Sequence, residues 1–313
     1  MSDAARRLAE RLAASGARRI AFLGLAKNAG KTTALVATLA ALHRLGVRAG
    51  ATSAGRDGED FDAITGEPKP RFRLWPGQVV ASAESTFAPA TLATGPLAAL
   101  PFETRFGGLR LAEVAASGDL EVVGPTTASE TAATAEALER AGARVVLLDG
   151  AFGRRAFASA RVADGLVVAA GMSAGRDLRS ALDRARDAME LAGLSLPAPG
   201  RRLRRIDGAL TPEALRAARP VAGETLLVRD FASVFLPAES RRRLAAEDVA
   251  LAVERPARVL AVVSNPAAPG RPALPPDEVF AALAEAFPRV AVADVVADLW
   301  RAPDGDPDAK ALP

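Results

Sequence analysis

The stretch from Ile20 to Gly46 constrains this chain more than any other. It opens on the apolar run Ile20, Ala21, Phe22 and Leu23, which reads as a short buried strand. A small-residue stretch follows, and then Lys31-Thr32-Thr33 leads into an amphipathic helix that stops at Gly46. Strand, Gly/Ala-rich loop, Lys-Thr and helix is the order of a phosphate-binding loop. Small residues let backbone N–H groups close around phosphate oxygens, and the helix N-terminus adds partial positive charge. In that arrangement Lys27, Asn28, Ala29 and Gly30 form the cradle and Lys31 reaches the β/γ-phosphates. The Thr32 hydroxyl sits on Mg²⁺, and Thr33 helps at the α-phosphate. The strict G-x-x-x-x-G-K-[ST] pattern asks for glycine at position 25; Leu25 stands there, and Gly24 comes one place early.

Composition sharpens this motif. Of 40 cationic side chains only four are lysines (Lys27, Lys31, Lys69 and Lys310), and two of the four fall in the loop. There a compact ammonium differs physically from a guanidinium fork. The two asparagines are Asn28, in the loop, and Asn265, in VLAVVSNPAAPG. With no cysteine, disulfides, thiol nucleophiles and Cys-based metal sites are excluded. The one histidine, His43, lies mid-helix, so a Ser-His-Asp mechanism lacks its base. The formal net charge is +3, and the high pI reflects arginine's pKa rather than a basic patch, so no nucleic-acid partner is expected. There is no signal-peptide pattern and no apolar run of about 18 residues. A cytoplasmic protein without a membrane partner is therefore expected.

Along the chain, strands read as continuous apolar runs and alternate with helical stretches. Strands are expected at 19–24, 47–53, 144–149, 166–171, 225–230, 249–255, 258–265 and 289–294, with short strand-like pieces near 71–75, 79–83, 109–113 and 119–123. Helices are expected at 3–15, 30–45, 128–141, 176–192 and 276–286. Residues 55–71 read as a polar loop. This predicts an α/β fold with a mainly parallel, doubly wound sheet covered on both faces. The Pro, Gly and Arg-rich stretch 194–205 divides a nucleotide-binding domain, 1–200, from a C-terminal α/β region, 201–313. That region either stands apart or continues the same sheet.

A triphosphate site needs Mg²⁺ and a group that organises the nucleophile. Mg²⁺ takes oxygen ligands and needs only one or two carboxylates. Asp149 closes the run VVLLD, and the C-terminal ends of parallel strands share the edge of the phosphate loop. It is the first choice for the metal-binding carboxylate, against the alternative of a turn-forming Asp. Asp57 and Glu59 follow the second strand and are candidates for a second metal contact or for orienting water; Asp60 and Asp62 offer the same chemistry. Asn265 presents an amide donor and acceptor that match the edge of adenine, or else forms a turn before Pro266. The pair Arg154-Arg155 has the charge to hold an acid substrate or a transferring phosphate.

The loop LAKNAGKTT resembles that of P-loop NTPases of the dethiobiotin synthetase and cobyrinate diamide synthetase class. That resemblance implies a metal held by Thr32, by Asp57 or Glu59, and by Asp149, with Asn265-Pro266 in the adenine-reading segment. TSAGRDGEDFDAITGEPKPR, GQVVASAEST, VVLLDGAFGRRAFASARVADGLVVAAGM, GALTPEAL, VRDFASVFL, VVSNPAAPG and AVADVV together look like the auxiliary ATPase of adenosylcobalamin-dependent lysine 5,6- and ornithine 4,5-aminomutases. This resemblance covers most of the chain; Phe152-Gly153 and Met172 depart from its pattern. It implies ATP and Mg²⁺ as cofactors, and as partners a B12-dependent aminomutase and a second, MutS-like ATPase subunit. The ATPase would help the mutase shed damaged cobalamin. A homodimer is a further expectation. Two other readings share the same phosphate site: an ATP-dependent carboxylate ligase, and a nucleotide-binding switch with negligible turnover.

Overall fold

A computed structural model describes residues 2–53, 71–151, 159 and 161–306. The chain opens with helix α1 (Asp3–Ala14), capped by the Ser2 hydroxyl, which accepts from the Ala5 N–H. Ala4, Ala5, Leu8, Ala9 and Leu12 are its buried residues, the spacing of one apolar helical stripe. Strand β1 (Arg19–Gly24), helix α2 (Lys31–Arg44) and strand β2 (Ala49–Ser53) follow. Next come β3 (Phe72–Leu74), β4 (Val79–Ala83), β5 (Ala93–Thr94), β6 (Ala98–Thr104), β7 (Gly107–Ala116) and β8 (Gly118–Leu120). Helix α3 (Ala128–Arg140) leads to β9 (Val145–Ala151), and β10 (Gly165–Gly171) to α4 (Leu178–Ala192). Then come β11 (Arg202–Arg205), α5 (Pro212–Ala218), β12 (Glu224–Val228), α6 (Ala238–Ala246) and β13 (Ala250–Val253). The described part closes with β14 (Val259–Asn265), α7 (Pro276–Ala286), β15 (Ala291–Asp294) and β16 (Leu299–Arg301).

Among the described residues eleven strands form one large mixed sheet, ordered β16-β15-β14-β10-β1-β9-β2-β4-β7-β5, with β6 also on β7. From β15 to β4 every pairing is parallel. The antiparallel pairs lie at its two ends: β16 on one side, and β7 with β5 and β6 on the other. A short β3–β8 pair and a parallel three-stranded sheet, β11-β12-β13, stand apart.

The central strands are apolar at every position because both of their faces are covered. Ile20 and Phe22 of β1, Val145 and Leu147 of β9, and Val167 and Ala169 of β10 join one core with Leu8 and Leu12 of α1 and Leu35, Leu39 and Leu42 of α2. The alternate residues Ala21, Leu23, Val146 and Leu148 face Ala135 and Leu138 of α3. On that same face Ala170, Val262 and Val292 meet α4 and α7. Phe22 is fully buried, and removing such a ring typically costs about 3–5 kcal/mol.

The first helix is stitched to the far end of the described chain. Ser2 Oγ donates to the Val295 carbonyl, Ala4 N to Asp298 Oδ1, and Arg11 to both the Leu260 carbonyl and Asp306. Among the described residues no helix is long and apolar enough to cross a membrane.

One expectation needs correction. Strand β9 runs on through Gly150 to Ala151, so Asp149 is not its last residue: β1 continues beside it, Gly24 opposite Ala151. Within the stretch 194–205, the charged segment Arg202–Arg205 forms a strand, β11, with Leu226 and Leu227 of β12 beside Arg204 and Arg205.

Candidate functional site

Strand β1 sits in the middle of the large sheet, between β9 and β10, and its C-terminal end opens into residues 25–30. Leu25 still donates to the Ala169 carbonyl of β10 at 3.0 Å, so the loop departs from a fixed point. Two left-handed residues then turn the chain: Asn28 at φ 60° and Gly30 at φ 87°. Asparagine is one of the few side chains that tolerates this region, and glycine does so without penalty. Ala29 between them is buried, while Lys27 on the loop and Thr33 on the first helical turn are exposed.

Helix α2 begins at Lys31 in an unusual electrostatic state. Its N-cap, Gly30, has no side chain to give, and its first turn holds no acid. Every other described α-helix begins with a side-chain cap, an acid in the first turn, or both. Among the described residues the α2 N-terminus thus has no side-chain cap and no acid of its own to answer its partial positive charge and first N–H groups.

Directly beside it, three polar side chains meet. Asp149 continues the Val145–Leu147 row of β9, which faces α2, because alternate strand residues share a face. Lys31 Nζ donates to Asp149 Oδ1 at 2.7 Å and Thr32 Oγ1 to Asp149 Oδ2 at 3.0 Å. Lys31 Nζ also lies 3.2 Å from Thr32 Oγ1. Lys31 retains 25% and Asp149 12% side-chain exposure, so the cluster is sheltered but open to a ligand. The lysine stem runs close to Gly24: a Cβ there would crowd it, 3.2 Å from Lys31 Cδ and 3.1 Å from the Ala26 carbonyl oxygen.

Asn265, the last residue of β14, reaches this loop from the far side of β10. Its Nδ2 donates to the Asn28 carbonyl at 2.8 Å, and its Oδ1 accepts from Ala267 N at 3.1 Å. The structure thus gathers Lys27 to Thr33, Asp149 and Asn265 at one sheet edge. Asp57, Glu59, Asp60, Asp62, Arg154 and Arg155 lie outside the described residues. Strand β2 ends at Ser53, paired opposite Asp149. Among the described residues no group of three or more His, Cys, Asp or Glu side chains is arranged to hold a metal. The donors at hand are a hydroxyl and one carboxylate, hard oxygens of the kind Mg²⁺ takes.

Two neighbours at the same edge escaped the sequence reading. Asp294 ends β15 with a buried carboxylate, but Ser264 Oγ and the N–H groups of Val296 and Ala297 occupy it, so it serves the turn. Arg271 donates to the carbonyls of Met172, Gly175 and Arg176 and thereby holds the β10–α4 turn. One arginine among dozens carries no signal in the sequence alone.

The opposite end of β1 is built differently. Arg19 grips Glu139 through two hydrogen bonds of 2.9 and 3.1 Å, and the guanidinium holds that carboxyl below its usual range. A cavity of about 460 Å³ opens there, lined by Gly16, Arg18, Glu139 and Arg144, away from the Lys31 cluster. Comparison with known protein families, with curated proteins and with solved structures found no match.

Proposed function

We propose that this chain is a P-loop ATPase: it binds Mg-ATP between β1 and α2 and hydrolyses it. The observation that carries the reading is the meeting of Lys31 and Thr32 on Asp149 beside an uncapped helix start. Anions bind where N–H groups and a helix dipole converge, and a lysine there adds a mobile point charge. In this reading residues 27–33 wrap the phosphates, Lys31 holds β/γ-phosphate oxygens, and Thr32 and Asp149 hold Mg²⁺. The bound metal would neutralise charge that develops on the transferring phosphoryl group. Orientation of the attacking water falls to Asp57 or Glu59. ATP is preferred to GTP, because the chain has no Asn-Lys-x-Asp guanine motif.

The narrower reading, an ATPase that reactivates an adenosylcobalamin-dependent aminomutase together with a MutS-like subunit in the cytoplasm, is supported by the resemblance of the quoted segments. Thermal melting tests the broader reading. Ligand at about 100 times its Kd adds about 2.7 kcal/mol, which raises Tm by several degrees in a chain of this size. Absence of any shift with ATP, ADP or GTP plus Mg²⁺ ends the proposal. Phosphate release measured with and without an added aminomutase tests the narrower one.

A further inference from the structure

Asn265 touches the loop at both of its left-handed residues. Its amide nitrogen holds the carbonyl of Asn28, at φ 60°. Its Cβ, Cγ and Nδ2 lie 3.1, 3.4 and 3.4 Å from where a side chain on Gly30, at φ 87°, would begin. The amide plane is fixed from behind as well, since Oδ1 accepts from Ala267 N. The bond to Asn28 spans 237 positions of sequence and comes from β14, which is separated from β1 by β10.

A left-handed asparagine in a loop is held only while its surroundings favour it. Within the loop, Leu25 is anchored to β10 and α2 begins at Lys31. Between these fixed ends, among the described residues, the Asn265 amide is the side chain that holds the backbone at Asn28. We infer that Asn265 is a positioning residue: it braces the phosphate loop in its anion-binding shape and does not read the nucleotide base. The inference rests on the phosphate-site reading above and gives one of its residues a different task from the adenine contact expected from sequence.

Inorganic tripolyphosphate, which has phosphates but no base, separates the two tasks. Wild type and Asn265→Ala are titrated with Mg-ATP and with Mg-tripolyphosphate. A brace predicts that both ligands weaken by the same factor, about tenfold for loss of one loop hydrogen bond to a carbonyl, with an unchanged ATP-to-GTP affinity ratio. Weakening of ATP alone, with tripolyphosphate binding intact, would overturn the inference in favour of base reading. Unchanged binding of both overturns it too. If Asn265→Ala fails to fold, Asn265→Ser, which keeps a small polar group but cannot span to Asn28, takes its place in the titrations, with the same equal weakening of both ligands expected. A second readout needs no nucleotide: hydrogen exchange of amides 25–30 should quicken in either variant of the ligand-free chain, and unchanged exchange counts against the brace. If wild type binds neither ligand while exchange still quickens, the ATPase reading fails and the mechanical role of Asn265 stands.

Discussion

Asp149 and Glu224 are both sheltered carboxylates on parallel strands, yet they are held in opposite ways. Glu224 opens β12, at the N-terminal edge of the small sheet, and its side chain is 2% exposed. Arg204 grips both of its oxygens at 2.9 Å, Val221 N donates at 3.2 Å, and Arg202 stands 3.5 Å away. Asp149 lies toward the C-terminal edge of the large sheet and meets one ammonium and one hydroxyl. A bidentate guanidinium fixes geometry, whereas a lysine on a flexible stem and a rotating hydroxyl can turn to a new partner. Ligands of open α/β sheets bind outside the carboxyl ends of strands. The comparison therefore separates a carboxylate locked by a guanidinium from one whose partners can turn away, as the proposed phosphate site requires.

The largest test of that contrast is Lys31→Ala. It should lower ATP turnover by about 1,000-fold, the upper range for loss of one charge-stabilising donor, and weaken ATP more than ADP. Lys31→Arg should restore little, because a planar fork does not fit a cradle shaped for a point charge. Steady-state phosphate release decides, and wild-type rates in the alanine variant would place the chemistry elsewhere. Next is Asp149→Asn, which keeps shape but removes charge: turnover should fall about 100-fold while nucleotide binding survives. A Mg²⁺ titration showing normal rate and metal dependence would transfer the metal role to Asp57 or Glu59.

The matching change on the other side of the comparison is Glu224→Gln. It should leave turnover alone and lower Tm by a few degrees. A drop in turnover without loss of stability would erase the distinction drawn here. Acid sharpens it further. The hydrogen bonds from Arg204 come first in holding the Glu224 carboxyl below its usual range, and the pairing outweighs its burial. A depressed folded-state pKa means that the stabilisation is present above the unfolded value of about 4.3 and is lost as pH falls through the folded value. Melting from pH 7 down to 3 should therefore show the wild-type advantage over Glu224→Gln constant at first and shrinking below about pH 4. The smallest effect belongs to Asp164→Asn. Asp164 Oδ2 accepts from the N–H groups of Arg18 and Arg19, and an amide oxygen can do the same, so turnover should not move.

Much of the large sheet was legible because a strand buried on both faces must be apolar at every position, as in Val145–Leu148 and Leu166–Ala170. Strand β11 was not, because Arg202–Arg205 lies at the edge of its sheet, where it pairs with β12 and carries arginines that meet Glu224 and Glu254 in place of an apolar run. Helices α5 and α6 are short, and α5 buries no residue, so neither writes a clear periodicity. At the proposed site, Lys31, Thr32 and Asp149, which the structure brings together, were nameable from motif and strand order. The contact from Asn265 to Asn28 was not, since no local pattern encodes a bond between residues so far apart.

The stitches between α1 and residues 295–306 set a schedule for synthesis. Helix α1 is made first, but Val295, Asp298 and Asp306, which tie it down, are made last among the described residues. At about 5–20 residues per second, that interval is roughly 15–60 s. During it Leu8 and Leu12 have α2 to lie against but lack the strands β14 and β15 that complete their core. Asn265 arrives in the same late window, so a nascent chain carries its lysine and threonine long before it carries the brace that holds their loop.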